Sequence, residues 1–227
     1  MRLEKASYKA IKYACLNFHY AKVVPAQYIG FSVFNDDKEW CGVILFGGGA
    51  SANMGKPFGL MYGQYLELTR MALNGKQEST SKVMAVAMRL IKKQNPTVRL
   101  LISYADKGQK HTGIIYQAAN WYFIGESESS GTDYFFNGKW RHDRTLNELP
   151  KEKLRKLQKR KRSGKYKYIY PLDKSLIPMC KGLSKPYPKK QTSDSSITAN
   201  AVADQATEEG QHHPIAQNNL PSHHGNP

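Results

Sequence analysis

Cysteine is scarce in this chain of 227 residues. There are three, Cys15, Cys41 and Cys180, widely spaced and without a Cys-x-x-Cys pair. That pattern excludes a disulfide framework and a thiolate zinc site, and it fits a reducing compartment. Long apolar runs are missing too. Met1 to Lys12 is charged throughout, unlike a signal peptide, and no stretch approaches the roughly 20 apolar residues of a membrane span. The expectation is a cytoplasmic protein with no membrane contact. Residues 191–227 contain no Lys or Arg, hold four acids and few apolar side chains, and are expected to form a disordered tail. The run Gly47-Gly48-Gly49 lacks both the Gly-Lys-Ser/Thr ending of a phosphate-binding loop and the spacing of a dinucleotide fingerprint. It is expected instead to be a mobile connection that lets substrate approach a sheet.

What is abundant is positive charge, and it is unevenly spread. The formal net charge is +16, yet residues 139–190 alone hold 18 basic and 4 acidic side chains. Charge so concentrated implies a polyanionic partner. Its densest part is Lys159, Arg160, Lys161 and Arg162, followed by Lys165 and by Tyr166, Tyr168 and Tyr170. Cations beside aromatics suit phosphate contacts next to base stacking, so these five basic residues are candidate DNA contacts. The alternative is a solvated, charged helix over residues 151–162.

Periodicity supplies a frame. In Tyr65 to Arg70 the alternation places Leu66, Leu68 and Arg70 on one strand face, and Tyr65, Glu67 and Thr69 on the other. Val83, Val86, Ala87, Leu90 and Ile91 recur at helical spacing behind a Ser79 or Thr80 cap. Residues 98–104 read as a strand and 112–121 as a helix, which gives a βαβαβ core. A first helix is expected over residues 4–17, paired strands over 28–34 and 40–46, and a hairpin over 132–140 turning at Asn137-Gly138. The fold class is therefore α/β (α+β): a central mixed, twisted sheet of about six strands with helices on both faces. Residues 1–146 would form the catalytic domain, 147–190 a basic extension and 191–227 the tail. Ligands of open α/β sheets collect at the carboxyl edge. Arg70, Ser81, Tyr104, Asp106, His111 and Tyr116 fall within reach of it.

Those residues also carry a resemblance. Asn17-Phe18-His19-Tyr20 with Pro25, then Glu67-Leu68-Thr69-Arg70, Ser103-Tyr104-Ala105-Asp106 and the stretch from His111 to Trp121 resemble, in order, the motifs of the phage Mom family of DNA-modification proteins. The likeness runs from about Asn17 to Leu146. It implies a GCN5-related N-acetyltransferase fold. It also implies conversion of adenine in double-stranded DNA to its N6-carbamoylmethyl form, which blocks restriction endonucleases. On this resemblance His19, Tyr20, Asp106 and Tyr116 are candidate catalytic residues. Arg70 and Ser81 would hold acetyl-CoA or a related donor, and iron on His19 and Asp106 is a further implication. One departure stands out: Arg70 to Gly75 keeps the Arg of the fold's pyrophosphate loop but not its glycine spacing.

Each candidate has a plainer role open to it. His19 and Ser81 could cap helices, Asp106 could form a turn and Tyr116 could be core. Arg70 could pair with Glu67, although the alternation sets them on opposite faces. Two rival functions come from other classes: a conventional acyl-CoA-dependent acetyltransferase acting on a protein or metabolite, and a DNA-binding protein without catalysis. An N6-adenine methyltransferase is disfavoured, because Tyr104-Ala105-Asp106-Lys107 is not a Pro-Pro tetrad.

Overall fold

The structure, a computed structural model, describes residues 1–127 and 131–189. The tail expected to be disordered lies outside the described residues. The chain opens with a strand that takes Glu4 and Lys5 from the start of the expected first helix: β1 (Arg2–Lys5) pairs antiparallel with β2 (Ile29–Phe34). Ser7 then starts α1 (Tyr8–Asn17), its hydroxyl accepting from the Ala10 amide at 3.2 Å. After β2 come β3 (Trp40–Gly47), β4 (Tyr65–Leu73), α2 (Thr80–Gln94), β5 (Leu100–Asp106), α3 (Ile114–Ala118) and β6 (Tyr122–Ser127). The chain continues as β7 (Thr132–Phe136), β8 (Lys139–His142), α4 (Lys151–Lys156), β9 (Lys159–Lys161), β10 (Lys165–Pro171) and α5 (Ile177–Leu183).

Among the described residues the main sheet has seven strands in the order β1-β2-β3-β4-β5-β10-β6. Helices cover both faces, as expected. Val83, Met84, Ala87, Met88 and Ile91 of α2 pack on one face with Leu66, Leu68, Trp121 and Tyr168. On the other, Ile11, Ala14 and Cys15 of α1 meet Val43, Leu45 and Ala72, while Cys180 of α5 joins Tyr65 and Ile169. All three cysteines are buried and unbridged. No helix among the described residues is long and apolar enough to cross a membrane.

Three expectations about the C-terminal third need correction. The hairpin at Asn137-Gly138 forms, but β7 and β8 join β9 in a separate three-stranded sheet rather than completing the main one. The charged helix stops at Lys156, and Lys159–Lys161 is an edge strand of that small sheet. Residues 147–190 are no appendage either: β10 runs between β5 and β6, with Tyr168 and Ile169 fully buried. The chain therefore has no break at 146.

The parallel pairing of β4 with β5 positions the site. β4 and β5 pair only over Tyr65–Glu67 and Leu100–Ile102, and then part. Facing β3, β4 also carries a bulge: Leu68 and Arg70 oppose consecutive residues Phe46 and Leu45, so Thr69 is the extra residue. An extra residue inverts the alternation beyond it. Leu66 and Leu68 face α2, whereas Arg70 joins Ala72 on the α1 face, the side that Tyr65 and Glu67 also occupy. The grouping of Arg70 with Leu66 and Leu68 does not hold, and Arg70 and Glu67 share a face.

Gly113, which starts α3, ties this frame to the site. Its φ of +79° suits glycine, and a Cβ there would meet the buried Tyr168 ring at 2.5 Å. Gly113→Ala is expected to cost roughly 2–4 kcal/mol of stability through backbone strain and overpacking, read as a lowered denaturation midpoint.

Candidate active site

The chain beyond α1 turns sharply and delivers His19 and Tyr20 to the place where β4 and β5 part. Arg70 Nη1 lies 2.7 Å from His19 Nδ1, which also accepts from the Ala21 amide at 3.1 Å. Arg70 is always charged and can only donate, so Nδ1 is the unprotonated nitrogen and Nε2 carries the hydrogen. Burial, the Arg70 charge, His111 and Lys22 together lower the His19 pKa to about 4. His19 is thus neutral at physiological pH, and its basic lone pair is engaged. It holds Arg70 in place and leaves an N–H to face a ligand.

Arg70 has no carboxylate partner among the described ion pairs, and its Nε is buried without a hydrogen bond. Burial lowers its pKa, with Cys15 and Tyr20 acting in the opposite sense. A desolvated guanidinium without a counter-ion is prepared to receive an anion. The Tyr20 ring stacks on His19 at 4.2 Å and meets the His111 ring edge-on at 6.1 Å. Burial and then the Asp106 charge raise the Tyr20 pKa, and Arg70 lowers it. His19, Tyr20, Arg70, Asp106 and His111 therefore converge, from α1's exit, β4, the end of β5 and the loop before α3.

Asp106 also fills its plainer role: its Oδ1 accepts from the Gly108 amide at 2.8 Å and forms the Asp-Lys-Gly turn. Tyr116 lies in the core, packed on Trp121 and Tyr168. Its hydroxyl reaches the parting of the strands. Ser103 Oγ stands 2.8 Å from it and 3.0 Å from the Leu68 carbonyl oxygen. A hydroxyl has one proton and a carbonyl only accepts, so Ser103 donates to Leu68 and Tyr116 donates to Ser103. Burial is the main cause that raises the Tyr116 pKa to about 12.

Glu67 has no assigned role on the sequence reading, and the structure brings it into the neighbourhood. Burial raises its pKa, while Lys165 and a backbone bond from Ala50 lower it. Burial, and then the Glu67 charge, push the Tyr104 hydroxyl up to about 12. A Cβ on Gly49 would lie 3.2 Å from Glu67 Oε2, and one on Gly48 would run into the Tyr28 and Tyr62 hydroxyls, themselves hydrogen-bonded. Gly47 and Gly48 are thus packed too tightly for side chains, whereas Gly49 and the residues after it, up to Asn53, are exposed. An acid flanked by leucines on a buried strand was the available signal; the bulge that turns it towards Arg70 left none.

Ser81 sits apart from this group. It bonds the capping Ser79 hydroxyl at 2.9 Å and lines a cleft of about 560 Å³ between α2 and α3, with Lys82, Arg89, Lys92, Asn120 and Tyr170. Arg70 does not line that cleft. The iron implied on His19 and Asp106 does not fit these residues. His19 Nδ1 is taken by a cation, Asp106 Oδ1 by an amide, and no cluster of three or more His, Cys, Asp or Glu suitable for a metal occurs among the described residues. Of the basic candidates, Lys159, Arg160 and Lys161 are exposed on β9. Arg162 is bound by Asp133 and His142, and Lys165 pairs in register with Asp106.

The sequence matches the Mom protein family over residues 1–189. The chain belongs to the Mom protein family. A curated relative, the methylcarbamoylase Mom of Escherichia phage Mu, is 32% identical over 136 residues, which are 58% of this chain and 55% of that protein. The chain thus matches only about half of that relative's length. Among solved structures, a phosphinothricin acetyltransferase from Sinorhizobium meliloti aligns at 12% identity and a TM-score of 0.45, covering 76% of this chain and 88% of that one. A spermidine/spermine N-acetyltransferase from Vibrio cholerae aligns at 9% identity and 0.45, covering 78% and 95%.

The neutral His19 makes a pH signature in this Mom family member. Its pKa is near 6.5 in the unfolded chain and about 4 in the fold, so below 6.5 the unfolded state takes up the proton first. The stability due to neutral His19 is complete above pH 6.5 and is lost as pH falls towards 4. In His19→Asn, denaturation midpoints between pH 7 and 4 should depend less on pH than in the parent. Equal slopes in the two proteins would contradict the depressed pKa.

Proposed function

We propose that this protein is a DNA-modifying transferase that converts adenine in duplex DNA to N6-carbamoylmethyladenine, protecting phage DNA from restriction. The observation that carries the reading is the convergence of His19, Tyr20, Arg70 and Asp106 where β4 and β5 part, in a member of the Mom family. The phage Mu relative is named a methylcarbamoylase, which supports the same class of product.

The N6 amino group is conjugated with the purine ring, and in duplex DNA it is paired and stacked. The base must leave the helix, at a cost of a few kcal/mol. A carboxylate that accepts from the amino group orients it and takes a proton as the new N–C bond forms. Asp106 is the half-buried candidate at the strand end. Glu67 is the second, with a pKa already raised by burial. The Arg70 guanidinium holds negative charge that develops on the donor, and His19 keeps that guanidinium aimed. Tyr116 is protonated and directed at Ser103, so it serves a departing group only by exchanging that partner.

The phosphates of an acyl-CoA donor suit the second region, which lies on the other face of the sheet from Arg70, so a donor held there meets Arg70 only through the opening between β4 and β5. The α2–α3 cleft offers Lys82, Arg89, Lys92 and Ser81 beside the first turn of α2, a chemistry suited to phosphates. Such a donor supplies a two-carbon unit activated at its carbonyl carbon; forming the N6–CH2 bond of the product requires in addition a two-electron oxidant, or a leaving group on the α-carbon, from a further co-reactant. The carbamoylmethyl product is an N-alkyl amide, so a nitrogen source is needed as well.

Two measurements test the reading. Nucleosides from DNA of cells expressing the chain should contain an adenosine heavier by one carbamoylmethyl group, and unmodified DNA beside folded protein would overturn it. Asp106→Asn and Arg70→Ala should each lower the modified fraction by about 100-fold or more while the thermal midpoint holds. Comparing Glu67→Gln with Asp106→Asn assigns the base, since only the true proton acceptor gives the larger loss.

A further inference from the structure

The small sheet has two chemically different faces, and its register separates them. Across β8, β7 and β9 the rows are His142–Asp133–Arg160 and Arg141–Tyr134–Lys159, with Trp140 opposite Phe135, Lys139 opposite Phe136 and Thr132 opposite Lys161. Successive side chains alternate between faces. One face therefore carries Asp133, Phe135, Trp140, His142 and Arg160. There the charges are used internally: Arg160 lies over the Trp140 ring at 4.5 Å and pairs with Asp133 at 3.4 Å. Arg162, just past β9, donates to Asp133 at 3.0 Å and stands 2.7 Å from His142 Nε2. These arginines hold the sheet together.

The other face carries Lys139, Arg141, Lys159 and Lys161 around Tyr134, Phe136 and Thr132. All four cations are exposed, none has an ion pair among the described residues, and no acid shares their rows. Lys139 and Arg141 lie on one side of the aromatic row, Lys159 and Lys161 on the other. With strands about 4.8 Å apart, the two cationic rows stand roughly 10 Å from each other. That is close to the roughly 12 Å width of the major groove of B-DNA, the groove that displays the adenine N6 amino group. The sheet also borders the candidate site. Ser163, two residues after β9, has its hydroxyl 3.5 Å from Asp106 Oδ1, and Lys165 is in register with Asp106.

We propose that this face is where duplex DNA docks, its phosphates lying on Lys139, Arg141, Lys159 and Lys161, while Arg160 and Arg162 make no phosphate contact. The proposal rests on DNA being the substrate. It also revises the simplest view of the Lys159–Arg162 run, in which all four neighbours touch phosphate.

The test is binding of the full chain to a duplex of unmodified DNA across several salt concentrations. Each phosphate neutralised contributes about 0.9 to the slope of log affinity against log salt. Replacing Lys139, Arg141, Lys159 and Lys161 together by Gln should flatten the slope by roughly 3–4, and Lys159→Gln with Lys161→Gln alone by roughly 2. The double variant alters only exposed edge residues, so it covers the case in which the fourfold change unfolds the sheet. A control that removes Lys9, Lys12, Lys38 and Lys174, the same charge elsewhere on the surface, should change the slope by less than about 1. Equal changes in control and sheet variants, or an unchanged slope in both sheet variants, overturn the docking face. If the parent chain modifies DNA while the sheet variants keep their slope, the docking face alone is wrong. If the parent neither binds nor modifies DNA, the functional reading falls with it.

Discussion

The parting of β4 from β5 is the constraint on which the site depends. A parallel pair in the middle of a sheet should continue its ladder, because each buried peptide group left unpaired costs about 1–3 kcal/mol. Here the ladder ends after Glu67 and Ile102, and side chains take over from the backbone. Ser103, wholly buried, donates to the Leu68 carbonyl, and Thr69 donates to Leu45 at 3.2 Å. The Ser103 hydroxyl serves the opening between β4 and β5, and the Thr69 hydroxyl serves the bulge on the β3 side. The bulge at Thr69 makes the opening functional, since it turns Arg70 from the α2 face to the α1 face, where His19 and Tyr20 arrive.

Arg70 is the costly residue in this arrangement. Its guanidinium is half desolvated, lacks an acid and leaves Nε unpaired. The fold does not neutralise it. It supplies instead a neutral imidazole, a phenol and a thiol, which orient the charge without cancelling it. The carboxylates of the site are engaged elsewhere: Asp106 accepts from the Gly108 amide in its own turn, and Glu67 takes a backbone bond from Ala50 and the charge of Lys165. An ion pair of Arg70 with either acid would stabilise the resting fold and remove the anion site. Keeping them apart is consistent with a ligand that completes the charge balance.

Much of the frame was legible from residues alone. Alternation and helical spacing located β4, α2, β5 and α3, and Asn137-Gly138 marked a hairpin that forms with positive φ at both positions. The motifs around His19, Arg70 and Asp106 brought out residues that do meet. What was not legible has a physical reason in each case. Residues 2–5 are too short and too charged to read as a strand, and become one only because β2 offers an edge. A single-residue bulge leaves no mark in composition, so the face of Arg70 and the nearness of Glu67 stayed hidden. Tyr166 to Tyr170 alternates like any strand, and nothing local says that it inserts between β5 and β6. Ser81 was grouped with Arg70 at one sheet edge and by the family resemblance, yet the sheet lies between their two faces.

That insertion of β10 explains how the basic segment and the cleft came to be one device. β6 ends at Ser127 and β10 begins at Lys165, and the two are paired, with Asp106 next in the same row. The small sheet and its loops, residues 131–164, therefore lie in sequence between two strand ends that share one row of the main sheet with Asp106. Ser127 reinforces the root by donating to the Lys165 carbonyl, and Gly164 packs against the Ser127 carbonyl too closely to admit a side chain. On the proposed docking face, a duplex would be referred to Asp106 through residues 162–164 and the row of the ladder that Lys165 shares with Asp106. For chemistry on a base that must leave its helix, that short path matters more than the strength of binding.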